Sequence, residues 1–177
     1  MKRTLSHWAL LGFFWTVGIG TLLHFTYVWS GRSPWVAAFS AVNESTWEHM
    51  KLFYLPWFIF SLLETAVFRR SLPMLPWARA LGAALGLLLI PTLFYTLSGT
   101  VGTLPSLVNI LIFIAAASAA CVYSFRWIGR SHGQSMFLRW SGILLLCLLL
   151  FLFVFFTFQP PHLPLFLDPI TLCYGIP

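Results

Sequence analysis

The sequence predicts an all-α, polytopic membrane helix bundle of about five transmembrane helices, N-in and C-out, with a proline-rich C-terminal tail folded over the outer face. Three observations predict it. Of 177 residues, 59% are hydrophobic and only 8% charged, against about 25% charged in an ordinary soluble domain. A soluble fold of this size lacks the interior to hide so much apolar surface. Five apolar runs approach or exceed the roughly 20 residues that cross a hydrocarbon core of about 30 Å. The ten Lys and Arg residues are dealt out in small groups between those runs, which is the pattern of topology signals and not of a nucleic-acid surface. Nucleic acid is thereby excluded as a partner, and membrane lipids are the expected one.

The expected spans are 7–29, 47–68, 75–97, 105–125 and 139–158, in a single integral membrane domain covering 1–177. Lys2 and Arg3 precede the first run, which is longer than a signal-peptide core and is followed by no small-x-small cleavage site, so it reads as a retained helix. Ser45-Thr46-Trp47-Glu48 is a capping box at the head of the second span. Trp47 suits the aromatic belt there, and Lys51 is expected to snorkel. Near the other end, Glu64 precedes Arg69 and Arg70 by about one turn and is expected to pair with them or reach the interface.

In the third span Gly82 and Gly86 form a small-xxx-small pair that permits close helix approach and offers a homodimer face. Ala115 to Ala120, with Ser118, give the fourth a smooth face. Pro56 and Pro91 are expected to kink their helices. Cys121, Cys147 and Cys173 have neither metal spacing nor a disulfide framework. Lacking an internal repeat, the chain does not read as a classical secondary transporter.

With the N-terminus cytoplasmic, eight basic residues (Lys2, Arg3, Arg69, Arg70, Arg79, Arg126, Arg130 and Arg139) lie inside, against Arg32 and Lys51 outside. That orientation gathers polar residues that the sequence separates. Glu44, Glu48 and His49 enter the second helix from outside, and His162 and Asp168 lie in the outer tail. His24 sits five residues before Trp29, roughly 7 Å below the outer end of its helix. His7 and His132 fall at the inner surface and carry no signal.

If the second helix starts near Asn43, Glu44 and Glu48 share one face four residues apart, with His49 about 100° round. Two carboxylates and an imidazole in that arrangement suit a divalent ion or acid–base work. Glu44, Glu48 and His49 are therefore the catalytic candidates. His24, Glu44, Glu48, His49, His162 and Asp168 are the candidate ligands for a divalent metal such as zinc. The tail from Thr157 onward carries Pro160, Pro161, Pro164 and Pro169, so it cannot form a sixth helix. Being apolar, it is expected to fold over the outer mouth and bring His162 and Asp168 to the cluster.

The segments "NESTWEHMK", "LHFTYVWSG" and "PPHLPLFLDPITLCYG" resemble a family of small bacterial integral membrane proteins of unknown function. The resemblance implies a bacterial cytoplasmic membrane protein built as one compact unit, and it supplies no catalytic residues.

Two functions fit the sequence. One is a polar, metal-binding site at the outer membrane face, acting hydrolytically on a lipid-type substrate. The other is a non-catalytic module, a lipid or small-molecule binder, permease component or partner subunit, whose polar cluster is structural. No intramembrane protease motif or nucleophile elbow is present, so whether the chain is an enzyme stays open. The orientation is testable in intact cells with single cysteines at Ser33 and Ser131. Ser33→Cys is expected to react with a membrane-impermeant maleimide and Ser131→Cys to be protected; the reverse pattern would invert the topology.

Overall fold

The computed structural model describes residues 2–69, 71–130 and 135–176; Arg70, Ser131 and His132 lie outside them. Helices α1 (Lys2–Trp29), α2 (Pro34–Ala37), α3 (Thr46–Val67), α4 (Leu75–Val101), α5 (Ser106–Arg130) and α6 (Met136–Phe158) are followed by a 3-10 turn, Pro164–Phe166. Among the described residues five helices are long and apolar enough to cross a membrane. They correspond to the five expected spans, but α1, α4 and α5 run several residues further at one end. Helical hydrogen bonding does not stop where hydropathy does, so the polar ends stay helical. The short α2 was not expected; Pro34 at its first turn is the signal that marks it.

The chain runs up and down, so one end of the bundle collects the close of α1, the head of α3, the close of α4 and the close of α6. At its centre stands α3, where residues 50–58 are buried without a break, as befits a helix surrounded by others. Phe53, Tyr54 and Trp57 pack there against Ala80 and Ala83 of α4, Ala116 and Ala120 of α5, and Leu146 and Phe153 of α6. Tyr54 donates its hydroxyl proton to the Leu146 carbonyl of α6.

Close approach is made inside the chain. A Cβ on Gly82 would strike Trp57 and Ser124, and one on Gly86 would strike the Phe53 ring. Gly82 is buried against α3 and α5 and Gly86 against α3, so this stripe is already packed on helices of its own chain. Pro56 lies inside α3 and removes the N–H that would otherwise bond the carbonyl of Leu52. Gly20 of α1 comes so near that carbonyl that a Cβ there would lie 2.6 Å from it.

Two expectations about charge are corrected. Lys51 does not snorkel: it is fully buried, its ammonium 2.6 Å from Glu48. Glu64 pairs with Arg79 of α4 (Nε–Oε2 2.6 Å), both partners buried; among the described residues it makes no pair with Arg69, and Arg70 lies outside them. The guanidinium lies 4.9 Å from the Trp57 ring centroid, and the Trp57 indole donates to the Arg79 carbonyl at 3.0 Å. In low dielectric an ion pair inside the bundle is favoured over two separate charges.

Removing one partner alone exposes that cost. Arg79→Met is expected to destabilise the protein by about 3–5 kcal/mol, while the Glu64→Leu/Arg79→Met double variant regains most of the loss. Thermal unfolding in detergent measures both; strictly additive losses would show that the two charges do not depend on each other.

Candidate metal centre

At the end of α1 the chain must turn back toward α3, and it does so through a Schellman motif. Arg32 N–H donates to the Tyr27 carbonyl (3.0 Å) and Gly31 N–H to that of Val28 (3.1 Å), with Gly31 at φ 69°, a conformation glycine adopts without penalty. The returning loop locks onto α1 beside His24. Fully buried Ser40 accepts from Tyr27 N–H (3.0 Å) and donates to the Leu23 carbonyl, the two groups that a regular turn would join directly. A hydroxyl is thus inserted in the ladder of α1.

The next segment is held from both sides. Asn43 accepts from Ser45 N–H (3.0 Å) and donates its amide to the Gly175 carbonyl of the tail (2.7 Å). Ser45 caps α3 by accepting from Glu48 N–H (3.4 Å). The capping box is only half made, because the Glu48 carboxylate accepts from Val42 N–H (3.1 Å) instead of from Ser45. Since α3 starts at Thr46, Glu44 lies outside the helix. The expected i, i+4 face shared by Glu44 and Glu48 does not form.

The two carboxylates consequently part company. Glu48 is buried: besides Val42 it meets Lys51, and Thr157 of α6 donates to its Oε1 (3.1 Å). Lys51 Nζ also donates to Thr157 Oγ1 (2.7 Å) and to the Ala37 carbonyl (2.9 Å). This ammonium–carboxylate pair joins α3 to α6 and to the loop.

Glu44 instead turns toward the two histidines. Its Oε1 lies 3.7 Å from His24 Nε2 and its Oε2 3.5 Å from His49 Nε2, and the imidazole centroids are 5.5 Å apart. Among the described residues this is the group of His, Cys, Asp and Glu that could hold an ion, with one ligand atom from each lying within 4.8 Å of the others. Two ligands on one tetrahedral ion at 2.0–2.2 Å stand roughly 3.3–3.6 Å apart, close to the two carboxylate–imidazole distances. His49 Nδ1 lies 3.0 Å from the Ser45 carbonyl, so Nδ1–H donates there and Nε2 keeps its lone pair for a ligand. Among the described residues His24 Nδ1 is buried without a hydrogen-bond partner. The side chains retain 29%, 42% and 35% exposure for His24, Glu44 and His49, so the centre is open on one side.

His162 and Asp168 are placed elsewhere. Asp168 is buried in a turn of the tail, accepting from Ile170 N–H (2.9 Å) and from the Thr171 hydroxyl (2.8 Å). His162 packs against Tyr174, ring centroids 4.6 Å apart. The tail touches the 43–47 segment at two points, the Gly175 carbonyl on the Asn43 amide and Phe166 against Trp47, ring centroids 4.7 Å apart. Apolar and backbone contacts, and not its two titratable groups, make that junction. Ser40 and Thr157 support the site without having been singled out by the sequence. Each is an ordinary hydroxyl residue, and the one signal was position, beside an otherwise apolar helix end.

Sequence comparison adds a family and no activity. The model of a family described only as of unknown function, DUF6512, matches residues 1–176. No curated protein and no solved structure matches the chain.

The roles of the two carboxylates are separable by experiment. Glu48→Gln leaves the buried Lys51 ammonium without a counter-charge and is expected to cost about 3–5 kcal/mol; Glu44→Gln, at an exposed position, is expected to cost less than about 1 kcal/mol. Thermal unfolding of the two variants decides it, and equal losses would show that Glu44 is as structural as Glu48.

Proposed function

The chain belongs to the DUF6512 family, whose function is unknown, and from the site itself we propose that it is a multi-pass membrane protein binding one divalent transition-metal ion through His24, Glu44 and His49. The observation that carries this reading is the convergence of two imidazoles and a carboxylate, ligand atoms within 4.8 Å, from three separate segments of the chain. Mixed imidazole and carboxylate donors suit zinc or another borderline ion. Three protein ligands with one side open is the arrangement of catalytic sites, where the ion supplies Lewis acidity to a carbonyl or phosphoryl oxygen. Glu48 is not assigned to that chemistry, because its carboxylate is already engaged by Lys51, Val42 and Thr157.

The orientation we infer is N-in, with the centre at the outer face of a bacterial cytoplasmic membrane. Setting aside Lys51 and Arg79, which are neutralised by buried carboxylates, Arg32 is the remaining basic residue of the outer side against seven inside. The asymmetry demanded by the positive-inside rule therefore sharpens. The open side of the centre then faces the outer lipid headgroups, and a lipid-type substrate is the one with direct access.

A second reading rests on the same distances. At 3.5 and 3.7 Å, Glu44 can form ion pairs with both imidazoles in their protonated state, without a metal, and pin α1 to α3, as a non-catalytic module would require. Metal analysis separates the two. Purified protein is expected to carry about one equivalent of zinc or a similar ion. After chelation, zinc at about a hundredfold excess over its dissociation constant should restore roughly 2.7 kcal/mol of stability. His24→Ala, Glu44→Gln and His49→Ala should each abolish that gain. Absence of both the stoichiometric ion and the gain would leave the structural reading standing.

A further inference from the structure

Away from the metal centre, in the half of the bundle where α1 begins and α5 ends, a groove of about 510 Å³ opens between these two helices. Its walls are matched stripes, Ser6 to Phe13 on α1 and Ser118 to Phe125 on α5, each sampled at i, i+3, i+4 and i+7, so each is a single helix face. The polar side chains in those walls have spent their protons within the chain. Cys121 donates to the Ala9 carbonyl (3.0 Å), Ser118 to that of Ile114 (2.8 Å) and Ser6 to that of Arg3 (2.8 Å). An occupant of the walls therefore gains from apolar contact and finds no free hydroxyl or thiol donor.

One end of the groove is different. Arg126 borders it, is exposed, and has no ion pair among the described residues. Arg3 is also exposed and stands one turn before Ser6 on the same side of α1. From Arg126 back to Ser118 the wall runs eight residues, about 12 Å at 1.5 Å per residue, close to the roughly 15 Å of one leaflet. A guanidinium at the headgroup level with an apolar trough one leaflet deep is complementary to a single class of molecule. We propose that the groove is a binding site for an anionic phospholipid, one acyl chain lying between α1 and α5 and the phosphate on Arg126.

Native mass spectrometry of the full-length protein in detergent tests this, with phosphatidylglycerol and phosphatidylcholine of equal chain length as probes. Both lipids offer a phosphate, but phosphatidylcholine also brings a trimethylammonium beside the guanidinium, so wild type is expected to retain the net-anionic phosphatidylglycerol about tenfold better. Arg126→Gln should remove that preference, and Ser118→Phe, which fills the trough, should weaken retention of both lipids. Where Ser118→Phe fails to insert, Leu10→Trp on the exposed rim replaces it. Equal retention of the two lipids by wild type, a preference that survives Arg126→Gln, or retention unaffected by filling the trough would each overturn the proposal. So would glycerol 3-phosphate binding as tightly as the lipid, since the chain would then contribute nothing. None of these outcomes bears on the metal centre, which shares no residue with the groove.

Discussion

An ammonium group with no access to water needs a carboxylate, and the pairing of Lys51 with Glu48 is the constraint on which this end of the molecule depends. The pair draws the Ala37 carbonyl and Val42 N–H down onto α3 and takes Thr157 from α6. With both ends of the 37–42 stretch fixed, Ser40 reaches the ladder of α1 and Glu44 is left facing His24 and His49. The arrangement of the three candidate ligands is thus a by-product of satisfying a buried charge that touches none of them. A buried pair of this kind contributes little net stability compared with apolar packing, but it has few alternative geometries. That makes it a positioning device.

The five spans were legible because the thickness of a hydrocarbon core fixes how long an apolar helix must be, and nothing in tertiary structure overrides it. Ser45 as the cap of α3 was legible for an equally local reason, the need of a helix start for an acceptor. The gathering of His24, Glu44 and His49 followed from topology alone. What could not be read was which carboxylate would join them. Glu44 and Glu48 are four residues apart in sequence, and the choice depends on Thr157, 109 residues away from Glu48, and on the start of α3. The partner of Glu64 was misread likewise. Arg69 is near in sequence, but Arg79 faces it across the bundle from α4, and helix azimuth is not written in hydropathy.

The basic residues illustrate how one residue type carries two messages. Arg126 and Arg3 remain exposed at the polar ends of their helices, where they weigh on the orientation we infer. Arg79 and Lys51 are neutralised inside the bundle and weigh on packing instead. Glycine shows the same ambiguity: the Gly82 and Gly86 pair reads as a surface for another helix, and the helices it admits belong to its own chain.

The bond between Asn43 and Gly175 closes across 132 residues of sequence. During synthesis the segment bearing Glu44 therefore leaves the ribosome well before the carbonyl that fastens it exists. At about 5–20 residues per second the interval is roughly 7–26 s, long compared with the microseconds in which a loop samples its conformations. Through most of that interval His24 and His49 can meet, but the Thr157 hydroxyl that engages Glu48, 109 residues further on, has not yet been made. Biogenesis of the candidate site is consequently a two-stage event, in which the two imidazoles are brought together early and the carboxylate is chosen and latched last, once α6 and the tail have been made.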